Sequence, residues 1–334
     1  MNRPETLLPE GKPAAGIIAA YHFNKDGAAE WITPDKVDAA LAGRDGWFWI
    51  HLSRADNRCR AWVESHAPLS DIIREVLLDD EDHLRLEMYG REIVGVLPDL
   101  HLEFDRPTED LGRMRFGMTD RLLVTMRRVP LRSVENVRHE IAAGTPFTAP
   151  IELLDGIIDH FADVIGQLSE RIGDELDIIE ERIWREIRGD ETQRIARARN
   201  QSGRIHRQLA QMRGLFHRLE YRVAGPMPEL AAPLQGLAQK IDAFDHAIAD
   251  IHDRARLLQD EMAGRMAELT NRRLLTLSLL TAAILPPTLV TGFFGMNTKD
   301  LPFLETPGGS WYALAIAAAA GAVTYWALQR LRAF

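Results

Sequence analysis

The tripeptide Gly295-Met296-Asn297 closes the apolar run Leu274–Phe294, which reads LLTLSLLTAAILPPTLVTGFF and holds no Asp, Glu, Lys, Arg or His. A carboxamide both accepts and donates hydrogen bonds. Placed with two flexible backbone units at the end of such a run, it suits contact with a hydrated ion. A second set of residues lies upstream. Asp242, His246, Asp253 and Asp260 fall at helical spacing, and the same face continues through Asn271, Leu274, Ser278, Thr281, Leu285, Thr288 and Gly292. An acidic strip that turns small, apolar and hydroxylated describes a conduit: it attracts cations at one end and is amide-lined at the other.

The residues inside the run limit how an ion can pass. Mg²⁺ gives up its water only to near-octahedral oxygens, and Zn²⁺ only to His, Cys or carboxylate ligands. The run supplies hydroxyls, carbonyls and leucines. The expectation is therefore a substantially hydrated cation read through its water shell, with no direct metal ligand in the spans and no cofactor. Leu274 and Leu285 are candidates for apolar constrictions. A side-chain proton relay has no carrier here.

The elements that position these residues follow. Leu274–Phe294 has the roughly 20 residues a helix needs to cross about 30 Å of hydrocarbon. Trp311–Leu328 reads as a second span, with Trp311, Tyr312, Tyr325 and Trp326 at its ends as interfacial anchors. Arg272 and Arg273 precede the first run and Arg330 and Arg332 follow the second, while the loop between carries Lys299, Asp300 and Glu305. The positive-inside rule then places both termini in the cytoplasm and the loop outside. The N-terminus lacks a signal-peptide pattern, and the single Cys59 fits a reducing compartment. Two spans cannot enclose a pore, so the partners expected are further copies of the chain and the lipid bilayer. A net charge of −9 argues against nucleic acid.

Before the spans, residues 1 to about 15 read as loosely attached. Strands are expected at Ile17–Phe23, Trp47–Leu52, Ile93–Leu102, Arg113–Met118 and Leu122–Met126, with DRPTED and TD as turns. Helices are expected at Pro34–Leu41, Arg58–His66, Ser70–Leu78 and Val134–Ala143, giving an α+β domain over 1–150 with a partly antiparallel sheet. Long helices follow over 151–270: Ile151–Ile187, a break at Gly189-Asp190, Glu191–Val223, and a third from about Pro233. The third carries a heptad stripe, Leu237, Ile241, Phe244, Ile248, Ile251, Ala255, Leu258 and Met262. The first span occupies 271–294, the tripeptide and outer loop 295–310, the second span 311–328 and a tail 329–334. No P-loop, nucleophile elbow, HExxH or CxxC pair is present, and the histidines are scattered. An enzyme is not expected.

PPTLVTGFFGMN, at the end of the penultimate span and close to the C-terminus, resembles the CorA-type metal-ion transporters. Within that superfamily, LPPTLVTGFFGMN, Trp49-Ile50-His51-Leu52 and the strand Asp120–Arg128 are most similar to the zinc-transport ZntB branch. After Asn297 the chain departs from that branch, with TKDLPFLETPGG in place of its usual Gly-Gly-Ile-Pro. The resemblance implies a funnel-shaped homopentamer of the inner membrane. It implies a filter of Gly295, Met296 and Asn297, and pore positions Thr288, Leu285, Leu277, Leu274 and Asn271 with Asp260 below. Asp300 or Glu305 would take the place of an acidic outer-loop residue. The implied cargo is Zn²⁺, or alternatively Mg²⁺, Co²⁺, Ni²⁺ or Cd²⁺, with uptake driven by protons. A magnesium channel of the same architecture and a non-conducting membrane-anchored sensor are the alternatives.

Overall fold

The computed structural model describes residues 16–43, 45–65, 68–102, 111–185, 190–296, 301–303 and 306–331. The loose N-terminus, the DRPTED turn, the Gly189 break, and the expected Asn297, Asp300 and Glu305 roles lie outside them. The chain divides into two compact units, Met1–Leu258 and Gln259–Phe334.

Runs rich in β-branched and aromatic residues become strands: β1 (Ile17–Phe23), β3 (Trp47–Ser53), β5 (Glu92–Leu100), β6 (Leu111–Met118) and β7 (Leu122–Arg127). Two further strands, β2 (Ala29–Trp31) and β4 (Arg85–Tyr89), form the edges of a seven-stranded sheet in the order β2-β1-β3-β7-β6-β5-β4. Their signals were weak because one is three residues long and the other, RLEMY, is largely half-exposed. The sheet is antiparallel except for β3 against β7.

Both faces of the sheet are covered. On one, Phe48, Ile50 and Leu52 join Leu122, Val124 and Met126 and pack on α1 (Val37–Gly43), α2 (Asn57–Ser65) and α3 (Asp71–Leu78). Gly117 on β6 admits α3 closely, since a Cβ there would fall 2.5 Å from Ile73. The other face carries α4 (Arg132–Ala142) and α5 (Pro150–Arg185). On that side Trp49 Nε1 donates to Thr125 Oγ1 at 2.9 Å, and His51 Nδ1 lies 2.8 Å from the same oxygen.

Helix α6 (Glu191–Val223) packs beside α5 and reaches β4. Helix α7 runs Pro228–Phe294, starting earlier than expected because Pro228 is tolerated at a first helical position, where its N–H would have had no partner. Leu237, Ile241, Ile248, Ala255, Leu258 and Met262 of the heptad are buried, and Phe244 and Ile251 are half-buried.

In the second unit, the C-terminal part of α7 faces α8 (Gly309–Leu331). Ala317 is buried, and a Cβ on Gly321 would come within 3.2 Å of Pro287 Cγ. Small residues on α8 thus let two backbones approach, as in membrane helix pairs. Among the described residues one helix, α7, is long and apolar enough to cross a membrane; α8 is an alanine-rich helix of 23 residues.

Candidate ion path along helix α7

Helix α7 stays continuous through Pro286-Pro287. Each proline removes a backbone donor, so the carbonyls of Ala282 and Ala283 lose their usual helical partners. Those residues, with Leu279 and Val290, form the half-covered side of the helix. At 3.6 residues per turn the opposite side carries Leu274, Leu277, Ser278, Thr281, Leu285, Thr288 and Gly292. All seven are exposed within the single chain, and so is Asn271. The strip expected from spacing is therefore one side of α7, turned away from α8.

The two threonines on that strip share a geometry. Thr281 Oγ1 donates to Leu277 O at 2.9 Å, and Thr288 Oγ1 donates to Ile284 O at 2.8 Å. With its proton committed to the helix, each oxygen presents only lone pairs outward. Water bound to a cation directs its hydrogens outward, so such acceptors match a hydrated cation.

The helix ends in a turn. Gly295 N donates to Thr291 O at 2.9 Å and Met296 N donates to Phe293 O at 3.3 Å. Met296 is exposed. Beyond the loop Phe303 stacks on Tyr312 with ring centroids 5.4 Å apart. At the far end of α8, the Arg330 guanidinium lies 4.6 Å from the Trp326 ring centroid, a cation–π pair fit for an interface.

The acidic strip divides. His246, Asp253 and Asp260 are exposed, and His246 Nδ1 lies 2.6 Å from the Asp242 carbonyl oxygen. Asp242 is not an open carboxylate: its Oδ2 sits 3.0 Å from His217 Nε2, with Arg213 Nε 3.8 Å from Oδ1. It belongs to the α6–α7 contact. Its neighbour Asp245 is buried between Ile241 and Ile248, 2.8 Å from Arg213 Nη1 and 2.9 Å from His206 Nδ1, the latter poorly aligned for a hydrogen bond. This buried acid was overlooked in the sequence, although its position inside the apolar stripe was the signal. Lys240 holds α7 to Asp155 at 2.8 Å and Asp159 at 2.7 Å on α5, and Arg254 pairs with Asp177 and Glu180.

Burial displaces the protonation of several groups in the sheet domain, Asp99, His51 and Cys59 among them. Burial pushes the Asp99 carboxyl up to about 6, against hydrogen bonds from Ser133 and Leu100 that pull it down. Burial, with Arg127 beside it, holds His51 well below the usual imidazole range. Burial raises the Cys59 thiol to about 12, which makes it inert. Among the described residues no group of three or more His, Cys, Asp or Glu side chains is placed to hold a metal ion.

Known proteins match nearly the whole chain. The family described as "CorA-like Mg2+ transporter protein" matches residues 44–330. The divalent cation transporter CmaX of Pseudomonas aeruginosa is 25% identical over 95% of this chain and 96% of its own length. The zinc transport protein ZntB of Yersinia enterocolitica is 28% identical over 85% of this chain and 86% of its own. Among solved structures, full-length CmaX superposes with a TM-score of 0.80 at 24% identity, covering 97% of this chain and all of the other. The CorA magnesium transporter of Methanocaldococcus jannaschii gives 0.76 at 15% identity, over 93% and 97% of the two chains. Both superpositions speak to fold alone.

Proposed function

The chain belongs to the CorA-like Mg2+ transporter family, and from that premise we propose that it carries Zn²⁺ into the cell through a pore made by several copies of α7. The observation that carries this reading is the exposed strip Leu274, Ser278, Thr281, Leu285 and Thr288, on which the Thr281 and Thr288 oxygens are left as acceptors. The run offers no His, Cys or carboxylate able to strip the ion. The ion keeps its water, and Gly295, Met296 and Asn297 form the filter that contacts that shell. Leu274, Leu277 and Leu285 narrow the path by dewetting.

In this reading α8 is the second span, both termini are cytoplasmic and the chain sits in an inner membrane. A homopentamer encloses the pore. Asn271, Asp260, Asp253 and His246 line a cytoplasmic funnel that concentrates cations. Asp300 or Glu305 takes the role of an acidic outer-loop residue. Proton coupling runs through the cytoplasmic funnel or pore water, because the spans hold no carboxylate or His.

A magnesium channel of the same build is the second reading, favoured by the family's description and the similarity to CorA. Competition separates the two. Zinc uptake into proteoliposomes that resists excess magnesium and rises with a pH gradient supports the first; magnesium flux insensitive to that gradient supports the second. No flux of any divalent cation overturns both and leaves a non-conducting sensor.

A further inference from the structure

A cavity of about 500 Å³ lies between α5 and α6, far along the chain from the membrane run. Arg171 on α5 and Arg194, Arg197 and Arg204 on α6 all line it. The spacing 194, 197, 201, 204 keeps the α6 residues on one helical face. Its one described carboxylate, Glu175, receives a hydrogen bond from Arg194 Nε at 2.6 Å. Arg171 and Arg197 are exposed, and Arg197 acts on Glu175 through its charge without a hydrogen bond among the described residues. The amide nitrogen of Gln201, in the same lining, is buried and has no acceptor. The floor is apolar: Leu168, Ile172 and Ile205 are each buried.

Among the described lining residues positive charge therefore outnumbers negative. A buried donor such as the Gln201 amide is ordinarily paired, and the exposed guanidinium groups of Arg171 and Arg197 match phosphate oxygens two at a time. The volume exceeds what a lone phosphate fills, and the apolar floor suits a flat ring. We propose that this cavity binds a nucleoside polyphosphate, its phosphates held by Arg171, Arg197 and the Gln201 amide and its base laid on Leu168, Ile172 and Ile205. This site is independent of the transport reading.

The test is calorimetric titration of the full-length, detergent-solubilised protein with ATP, inorganic triphosphate and adenosine, in EDTA so that no divalent cation takes part. ATP should bind in the micromolar range, triphosphate at least about tenfold more weakly, and adenosine without measurable heat. Arg171→Glu with Arg197→Glu should weaken ATP binding at least about tenfold. Gln201→Leu, which leaves every arginine in place, should weaken it about threefold or more while keeping the wild-type melting profile. The absence of ATP heat at millimolar concentration overturns the proposal. Unchanged affinity in the well-folded Gln201→Leu and double-arginine variants does the same. Triphosphate binding as tightly as ATP would overturn the nucleoside contact.

Discussion

Thr288 donates its hydroxyl proton to the carbonyl of Ile284, 2.8 Å away, and in doing so turns its oxygen into a pure acceptor on the exposed side of α7. Thr281 repeats the pattern with Leu277 one stretch earlier. Thr288→Val keeps the shape and removes that acceptor. Cation flux should fall about tenfold, equivalent to ~1.4 kcal/mol on the barrier, and Thr288→Ser should restore it. Uptake into vesicles at equal protein density is the measurement. Equal rates in wild type and Thr288→Val would remove the hydroxyl from the path.

Gly321 gives a prediction about assembly of the second unit. A Cβ there already crowds Pro287, so Gly321→Leu should separate α7 from α8 at a cost of about 1–3 kcal/mol. Thermal melting in detergent should show the loss, while Gly264→Ala, where a Cβ would meet nothing within 4 Å, should not.

The carboxylates of α7 should behave differently from one another. Asp253→Asn with Asp260→Asn removes exposed charge, so cation entry at low ionic strength should slow about threefold or more and recover at high salt, where charges are screened. Asp242→Asn instead loosens the pairing with His217 and Arg213, worth at most about 1 kcal/mol at such a half-buried, solvent-screened site. Its initial uptake rate should stay close to wild type.

Asp99 fixes a pH dependence. It accepts hydrogen bonds from Ser133 Oγ at 2.6 Å and from Ser133 N, so it caps α4 from a neighbouring strand. Its folded value of about 6 lies above the ordinary 3.8. The folded state therefore holds the proton more tightly, and this contribution is full below about pH 4 and lost as pH rises through 6. Asp99→Asn should gain on wild type by roughly 3 kcal/mol between pH 4 and 7. His51 has the opposite sign: its depressed value stabilises the fold above pH 6.5 and is lost on acidification. Paired melts of wild type and Asp99→Asn across that range cancel the His51 contribution.

Much of this fold was legible because its signals are local. Strands β1, β3, β5, β6 and β7 came from β-branched and aromatic runs, and α6 was bounded correctly at Glu191–Val223. The exposed side of α7 from Leu274 to Thr288 follows from helical spacing alone. Edge strands β2 and β4 escaped because pairing with a neighbour, not their own residues, makes them strands. Asp242 was misjudged for a related reason. Periodicity places a residue on a face, but only the packing of α6 reveals that His217 and Arg213 meet it there. Asp245 escaped notice inside the apolar stripe, and only the packing of α6 brings Arg213 and His206 against it.

The central claim is that a divalent cation passes through a filter built on Asn297. The most direct measurement is zinc uptake into proteoliposomes by wild type and Asn297→Ala, with the oligomer of each checked by size. The prediction is robust uptake by wild type and background uptake by an equally assembled Asn297→Ala. Wild-type rates in that variant would contradict the claim.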